Sequence, residues 1–531
     1  MQYVLKNAAW LQVTSRIALA AVFAGAVGCG CESSSNETSP QAGQADAGDH
    51  NQPSVDDPPA LLDGWEKPAL AIVLTGEQYG FFEPCGCTEN QSGGMSRRAD
   101  LFRQIKEREW PLTAFDLGTT VRRARQQSRI KFETIRNSLI DMQYAALLLG
   151  PEELRLDPDY LISQAPDSRF PECPLPFVAA NVAFTGDLVD LGPVEEKVVT
   201  IDTVRVGVTG VLGLSRVDEI APKGSSLAEK FSVKDPATIL PAVIERLEAQ
   251  QVDLLVLLSQ ASVEESRELA GKFPQFDLVL SAGGPEDPDG RPITIGKTVL
   301  VTVGQKGKHA GVVGYYPDAP VDERLRFELV ELDQQRFQDT PVMIEHMRTY
   351  QDRLRDERLA ATELPIAHPS GATYVGSEKC GECHTEAMAK WEETKHSHAY
   401  ESLEGPREGQ PDYGITRVFD AECLACHVAG WDPQQVLRFD SGFINEEFAA
   451  NDAERELGRI LKGCQCESCH GPGSRHITLL EEDEIEAAGE EVRVTLEQAK
   501  KDLCYQCHDL DNSPNFDFDS YWEKVEHPGL D

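Results

Sequence analysis

Tyr374–Ala399 reads YVGSEKCGECHTEAMAKWEETKHSHA, and within it Cys380–His384 (CGECH) sets two thiols three positions apart with an imidazole directly after the second. The same pattern returns at Cys423–His427 (CLACH), Cys466–His470 (CESCH) and Cys504–His508 (CYQCH). Two thiols at this spacing can each add to one vinyl group on the same edge of a porphyrin, and the chain then turns so that the adjacent histidine meets the iron from one face. With 14 Cys and 12 His in 531 residues, the chance expectation for even one such pentapeptide is roughly 0.01. The four motifs therefore predict four covalently bound haem c groups. Their thioethers would come from Cys380, Cys383, Cys423, Cys426, Cys466, Cys469, Cys504 and Cys507, and their proximal iron ligands from His384, His427, His470 and His508. Zinc is the competing reading. It would need Cys pairs grouped by fours without regard to the next residue, and the invariable histidine weighs against it.

From Tyr374 onward there are four more histidines, His396, His398, His476 and His527, one candidate distal ligand for each iron. His396 and His398 follow a predicted helix containing Trp391, His476 closes CHGPGSRH, and His527 closes YWEKVEH. Each could instead be a surface residue, and either of the neighbours His396 and His398 could serve in place of the other. Ligation by two histidines leaves no open iron position and favours electron transfer over substrate binding. Apolar periodicity thins in this region, so porphyrin plates are expected to supply much of its core and to give a mostly α, loop-rich domain. His346 and His368, upstream, read as surface residues. Cys464 in CQCESCH is a spare thiol that haem attachment does not require.

The formal net charge of −39 excludes nucleic acid as a partner and favours basic or neutral ones. Compartment is read from the N-terminus. Lys6 and Arg16 precede an apolar run, Ile17–Val27, of export-signal length and too short to span a bilayer comfortably. Ala26, Val27, Gly28 and Cys29 resemble a bacterial lipobox, which would make Cys29 a lipidation site; plain secretion is the alternative. Residues 1–28 are thus expected to be a signal peptide and 29–64 a flexible tether, since Glu32–Pro59 holds almost nothing apolar. An exported protein, in the periplasm or on the outer face of a membrane, is the expectation.

Between Trp65 and about Asp333, apolar runs alternate with helical patterns. Strands are predicted at Leu70–Thr75, Thr113–Leu117, Val204–Val211, Val252–Ser259, Phe276–Ser281 and Thr298–Val303. Helices are predicted at Met95–Glu109, Phe132–Leu149, Leu240–Gln250 and Val263–Phe273. Such an order implies an α/β domain, placed at 65–335. Pro341–Leu359 carries Met343, Met347, Tyr350 and Leu354 on one stripe and is predicted to be a helix in a connector, 336–373, before the haem domain, 374–531. Cys85 and Cys87, in PCGC after the first strand, are either structural thiols, one of them able to pair with Cys173, or a redox or thiolate metal site.

Two resemblances follow from longer phrases. AIVLTGEQYGFFEP, FDLGTT, LLLGPEEL, VAANV, VRVGVTGVLG, VDLLVLLSQ, DLVLSAGG and TVLVTVGQKGKHAGVVG occur in the order of the calcineurin-like metallophosphoesterase fold in its secreted 5′-nucleotidase form. In that family strand ends present Asp, His and Asn to two metal ions. Here the corresponding positions are Glu77, Gln78 and Tyr79; Gly118 and Thr119; Pro151 and Glu152; Gln260; and Ala282 to Pro285. The resemblance therefore implies the fold without the metal cluster, a degenerate phosphoesterase. The run from Tyr374 to Ala399, then CLACHVAGW, CESCHGPGSRH and CYQCHDLDNSPNF with YWEKVEH, resembles the tetrahaem cytochrome c family of the ammonia-oxidiser type. That resemblance implies closely stacked haems, one of which can be five-coordinate and open to a small ligand such as nitric oxide.

The expected function is transfer of electrons between redox proteins of the periplasm or membrane, by a tetrahaem carrier held to the membrane through an N-terminal lipid and bearing a non-catalytic phosphoesterase-like module. The alternatives are an oxidoreductase acting on a small nitrogen compound at a five-coordinate haem and, behind it, a working nucleotidase fused to a cytochrome.

Overall fold

Leu254–Gln260, LLVLLSQ, shows how the first two thirds of the chain is layered. Leu254, Val256 and Leu258 pack into one buried cluster and Leu255 and Leu257 into another. A strand that is apolar on both faces must be covered on both. The computed structural model describes residues 60–84, 91–164, 173–220, 226–407 and 410–527. Cys29, Cys85, Cys87, the expected signal segment and the expected tether as far as Pro59 lie outside the described residues.

Two six-stranded sheets form the α/β part. The first runs in the order Leu325–Glu331, His309–Tyr315, Leu70–Thr75, Leu112–Asp116, Ala146–Leu148, Phe177–Val178. Its last four strands are parallel, and His309–Tyr315 runs antiparallel to both of its neighbours, Leu70–Thr75 and Leu325–Glu331. The second runs Ile293–Ile295, Thr298–Val301, Leu278–Ser281, Leu254–Gln260, Val204–Leu212, Glu196–Ile201, parallel in the middle with an antiparallel strand on each edge. Side chains of both sheets share one core, in which Ile72 and Leu74 lie with Val206, Val256 and Leu280. Helices Pro236–Ala249 and Val263–Lys272 cover the far face of the second sheet through Leu240, Val243, Leu247 and Leu269. Both begin on side-chain caps, Asp235 and Ser262, which accept from the amides of Ala237 (2.8 Å) and Glu265 (3.2 Å).

The predicted helix Phe132–Leu149 is corrected. The helix is Gln126–Asp141, and Ala146–Leu148 is a strand paired with Leu112–Asp116. Gln143 turns the chain with φ 65°, and a short apolar run fits a helix or a buried strand equally well until a sheet edge is offered to it. Pro341–Asp356 is helical and buries Met343, Met347, Tyr350, Gln351 and Leu354; Tyr350 receives a bond from Gln127 of helix Gln126–Asp141 (2.9 Å).

The C-terminal part is built from short helices and turns around a small core that includes Leu424, Ala429, Trp431, Phe443 and Leu461. It packs with the α/β part in one compact unit. No helix of the described residues is long and apolar enough to cross a membrane.

Candidate haem centres

Each CxxCH motif sits on a single helical turn. The first follows the start of helix Ser377–Gly381, where the His384 amide donates to the Cys380 carbonyl (2.9 Å). The second fills helix Ala421–His427, capped by Asp420. The third is helix Cys466–His470, and the fourth is a turn at Cys504–Gln506, where His508 donates to the Cys504 carbonyl (2.9 Å). Residues three apart on one turn share a face. Both thiols of a motif are therefore presented together, and the histidine follows on the next step of the turn.

The motif histidines meet the downstream ones in pairs. Ring centroids lie 6.4 Å apart for His384 and His476, 6.0 Å for His396 and His508, and 5.9 Å for His470 and His527. Two imidazoles on opposite sides of one metal, each bonded at about 2 Å, have centroids roughly 6 Å apart. These separations fit a shared ion between the rings.

The hydrogen bonds fix which nitrogen is free. Nδ1 of His427, His470 and His476 lies 2.7 Å from the carbonyls of Ala399, Val492 and Ala488, and Nδ1 of His508 lies 2.8 Å from Ser513 Oγ. A carbonyl can only accept, so Nδ1 of the first three carries the proton and Nε2 keeps its lone pair, the usual arrangement of a metal-bound histidine. Burial pushes the pKa of His427, His470 and His508 down, and that of His396 to about 4. Neutral rings are what ligation requires.

The thiols cluster across motifs. Cys380 is within hydrogen-bonding reach of Cys466, and Cys507 of Cys426. Motif one thus adjoins motif three, and motif two adjoins motif four. Cys464 lies amid Cys426, Cys466 and Cys504, with its thiol pushed up to about 11 by burial. Its amide donates to the His396 carbonyl (3.0 Å) and its carbonyl accepts from Trp391 Nε1 (2.9 Å). That backbone role positions His396 beside the third motif, a signal absent from the sequence pattern.

His398 is not brought opposite a motif histidine. It is exposed, and among the described residues no histidine ring stands opposite His427. His346 pairs with Asp141 (2.7 Å), and His368 packs on Tyr374 and Phe439. Cys173 carries no disulfide to a described residue.

A second convergence lies at the strand ends of the α/β part. Glu77 and Tyr79 donate their amides to the carbonyls of Gly118 (2.8 Å) and Thr119 (2.9 Å). Gln260 Nε2 reaches the Leu117 carbonyl (2.9 Å) and Thr119 Oγ1 (3.0 Å). The Glu153 carboxylate accepts from the amides of Thr119 (2.9 Å), Thr120 (2.6 Å) and Gly150 (2.9 Å). Gly118, at φ 85°, leaves no room for a side chain, because a Cβ would stand 2.3 Å from the Leu148 carbonyl. Glu77, Tyr79 and Thr119 also adopt positive φ, a strained clustering of non-glycine residues. Burial raises the Glu77 carboxyl to about 7. Among the described residues no group of three or more His, Cys, Asp or Glu could hold a metal ion. Carboxylate-to-amide bonds from Glu153 tie these loops together. Arg98 is buried against Asp116 (3.7 Å).

Residues 379–471 match the family described as cytochrome c554 and c-prime. Cytochrome c-554 of Nitrosomonas europaea is 31% identical over 108 residues, 19% of this chain and 40% of that protein. The chain thus spans about two fifths of the length of the curated relative it matches. Among solved structures, a 5′-nucleotidase precursor from Thermus thermophilus superposes with a TM-score of 0.47 at 18% identity, covering 56% of this chain and 60% of that one. A Thermus thermophilus sulfate thiohydrolase, SoxB, in complex with glycerol gives a TM-score of 0.47 at 15% identity, covering 57% and 64%. The chain is therefore similar, over residues 379–471, to the cytochrome c554 and c-prime family, and its α/β part has a 5′-nucleotidase among its structural neighbours.

Proposed function

We propose that this protein is a four-haem c-type electron carrier, exported and lipid-anchored at Cys29, that passes electrons between redox proteins. The observation that carries the reading is the set of three histidine pairs at 5.9 to 6.4 Å. When bound, haem c supplies one-electron chemistry at its iron. The chain's own residues do the rest. The eight motif thiols would hold the macrocycles, and His384 with His476, His396 with His508, and His470 with His527 would ligate iron at three of the four centres. The Nδ1 bonds to main-chain carbonyls hold His427, His470 and His476 in one tautomer and orientation, which limits rearrangement when charge changes. Cys380 lies beside Cys466 and Cys507 beside Cys426, so the attachment points of motifs one and three, and of motifs two and four, are neighbours. In this reading the α/β part is a non-catalytic support; the support for that is the residue set at its strand ends, Glu77, Gln78, Thr119 and Gln260, and the three amide bonds by which Glu153 ties the loops together.

Haem quantitation on the purified full-length protein, with mass mapping of the four motif peptides, tests the reading. Four haems per chain, each on its own motif peptide, is the expected result; bound zinc without haem would overturn it. A second reading is favoured by one feature, the absence of a histidine opposite His427 among the described residues. A single five-coordinate centre there could bind and turn over a small nitrogen compound. Nitric oxide added to the reduced protein is expected to shift the spectrum of one haem in four. No shift would remove this second reading.

A further inference from the structure

The α/β part reaches one haem motif directly. Helix Ala421–His427 starts on Asp420, whose carboxylate accepts the Glu422 amide (3.0 Å) and the side-chain amides of Gln127 (2.7 Å) and Gln351 (3.0 Å). Those two glutamines come from helices Gln126–Asp141 and Pro341–Asp356, which belong to the other part of the fold. Glu422, the residue before Cys423, is bonded by Lys131 and by Arg123 (3.3 Å). Lys131 is 8% exposed and sits 5.6 Å from the centre of the Tyr350 ring. Arg122 also faces Glu422, and the fields of Lys131 and Arg417 extend to Cys423 itself.

Both partners are held charged. Burial alone would lower the Lys131 ammonium, but Glu422 and Asp420 opposite it outweigh that and raise it. Burial alone would raise the Glu422 carboxyl, but Lys131 outweighs that and lowers it. Desolvating such a pair costs much of what its attraction returns, so it is a poor device for stability alone. Its position against a haem attachment thiol gives it another use.

We propose that Lys131 and Glu422 set the reduction potential of the centre held at Cys423–His427, which gives the α/β part an electrostatic role at that haem. This rests on the reading of the motif as a haem site. Oxidised haem iron carries one more positive charge than reduced iron. A nearby cation therefore favours the reduced state and a nearby anion the oxidised state, and both act strongly where the surroundings are poorly polarisable. Lys131 raises the potential and Glu422 lowers it. The α/β part also meets the chain just after the fourth motif, through Lys306 and Asp511, but there the carboxylate stands three residues beyond His508, whereas Glu422 directly precedes an attachment thiol.

The test is a spectroelectrochemical titration of the full-length holoprotein and three variants. Lys131→Gln is expected to move one of the four transitions to lower potential and Glu422→Gln to move the same transition to higher potential. Lys131→Arg is expected to leave all four in place. Opposite signs from the two neutralisations cannot come from general loosening of the interface, which would move both in one direction. Movement in one direction, or no movement in either, overturns the proposal. Should Lys131→Gln fail to fold, an upward shift in Glu422→Gln with none in Lys131→Arg upholds it, and any other result overturns it. Mass mapping of the peptide holding Cys423 and Cys426 separates the two levels. A haem-free peptide overturns the underlying haem reading, whereas a haem-bearing peptide with unmoved potentials overturns only the electrostatic role.

Discussion

The α/β part and the segment after Cys466 solve the problem of a core in opposite ways. In the α/β part whole strands such as Leu70–Thr75 and Leu254–Gln260 are buried along their length. From Cys466 to His527, Ala488, Ala499 and Phe518 are the buried apolar residues of the described chain. Burial at about 25 cal/mol per Å² of apolar surface cannot offset the entropy of ordering some sixty residues with three such side chains. The difference teaches that the sheets depend on their own side chains, while the segment needs another source of order, which the proposed haems on its thiols would supply.

The largest effect that separates the two regions is expected from the double substitution Cys504→Ser and Cys507→Ser. Loss of both thioethers at the fourth motif removes one haem and with it the contacts that organise 496–527. Hydrogen exchange should then show fast exchange in that segment and unchanged protection in the strands of both sheets. Loss of protection in the sheets as well would show that the two regions order together.

The converse substitution is Leu257→Ala. Leu257 is fully buried between the second sheet and its helices, and removing such a side chain costs about 2–5 kcal/mol. Denaturant unfolding followed by tryptophan fluorescence should show that loss, with haem spectra unchanged below the transition.

What could be read in advance divides along the same line. Leu70–Thr75 was legible to the residue because a continuous apolar run between polar turns admits few alternatives. Strands His309–Tyr315 and Leu325–Glu331, the second at the sheet edge, were not, since Gly311, Gly314 and charged residues such as Arg326 and Glu328 dilute their pattern and only the pairing register makes them strands. At the candidate site the motif residues were legible because their chemistry is local, all within five positions. The partners of the histidines were not, because His384 meets His476 and His470 meets His527 only through the fold. Counting histidines suggested four against four; geometry gives three pairs and leaves His427 and His398 apart. Lys131 and Glu422 carried no signal at all, since a charge in a helical pattern reads as a solvated face until its neighbours are known.

A smaller contrast concerns pH. Glu77 is nine tenths or more shielded and its carboxyl is raised to about 7 by burial, against about 4.3 in an unfolded chain. The folded state then binds more protons than the unfolded state between these values, so stability falls as pH rises from about 4.3 to about 7 and levels off above. The full excursion is about 4 kcal/mol. Glu77→Gln should flatten this limb in the unfolding of the α/β part between pH 5 and 8. An unchanged slope in the variant would assign it to another group.

The smallest expected effect bears most sharply on the haem region. His398 is exposed and its ring faces no motif histidine, so His398→Ala should leave the visible spectrum, the magnetic spectrum and all four potentials as they are. His476→Ala should instead convert one centre from low to high spin, because it removes the ring 6.4 Å from His384. If His398→Ala also produces a new high-spin signal, His427 has a distal partner in the loaded protein and the segment 396–399 rearranges to supply it. The two substitutions together therefore decide between four equivalent centres and three closed centres with one open, and only the second arrangement leaves a site where a small ligand can reach iron.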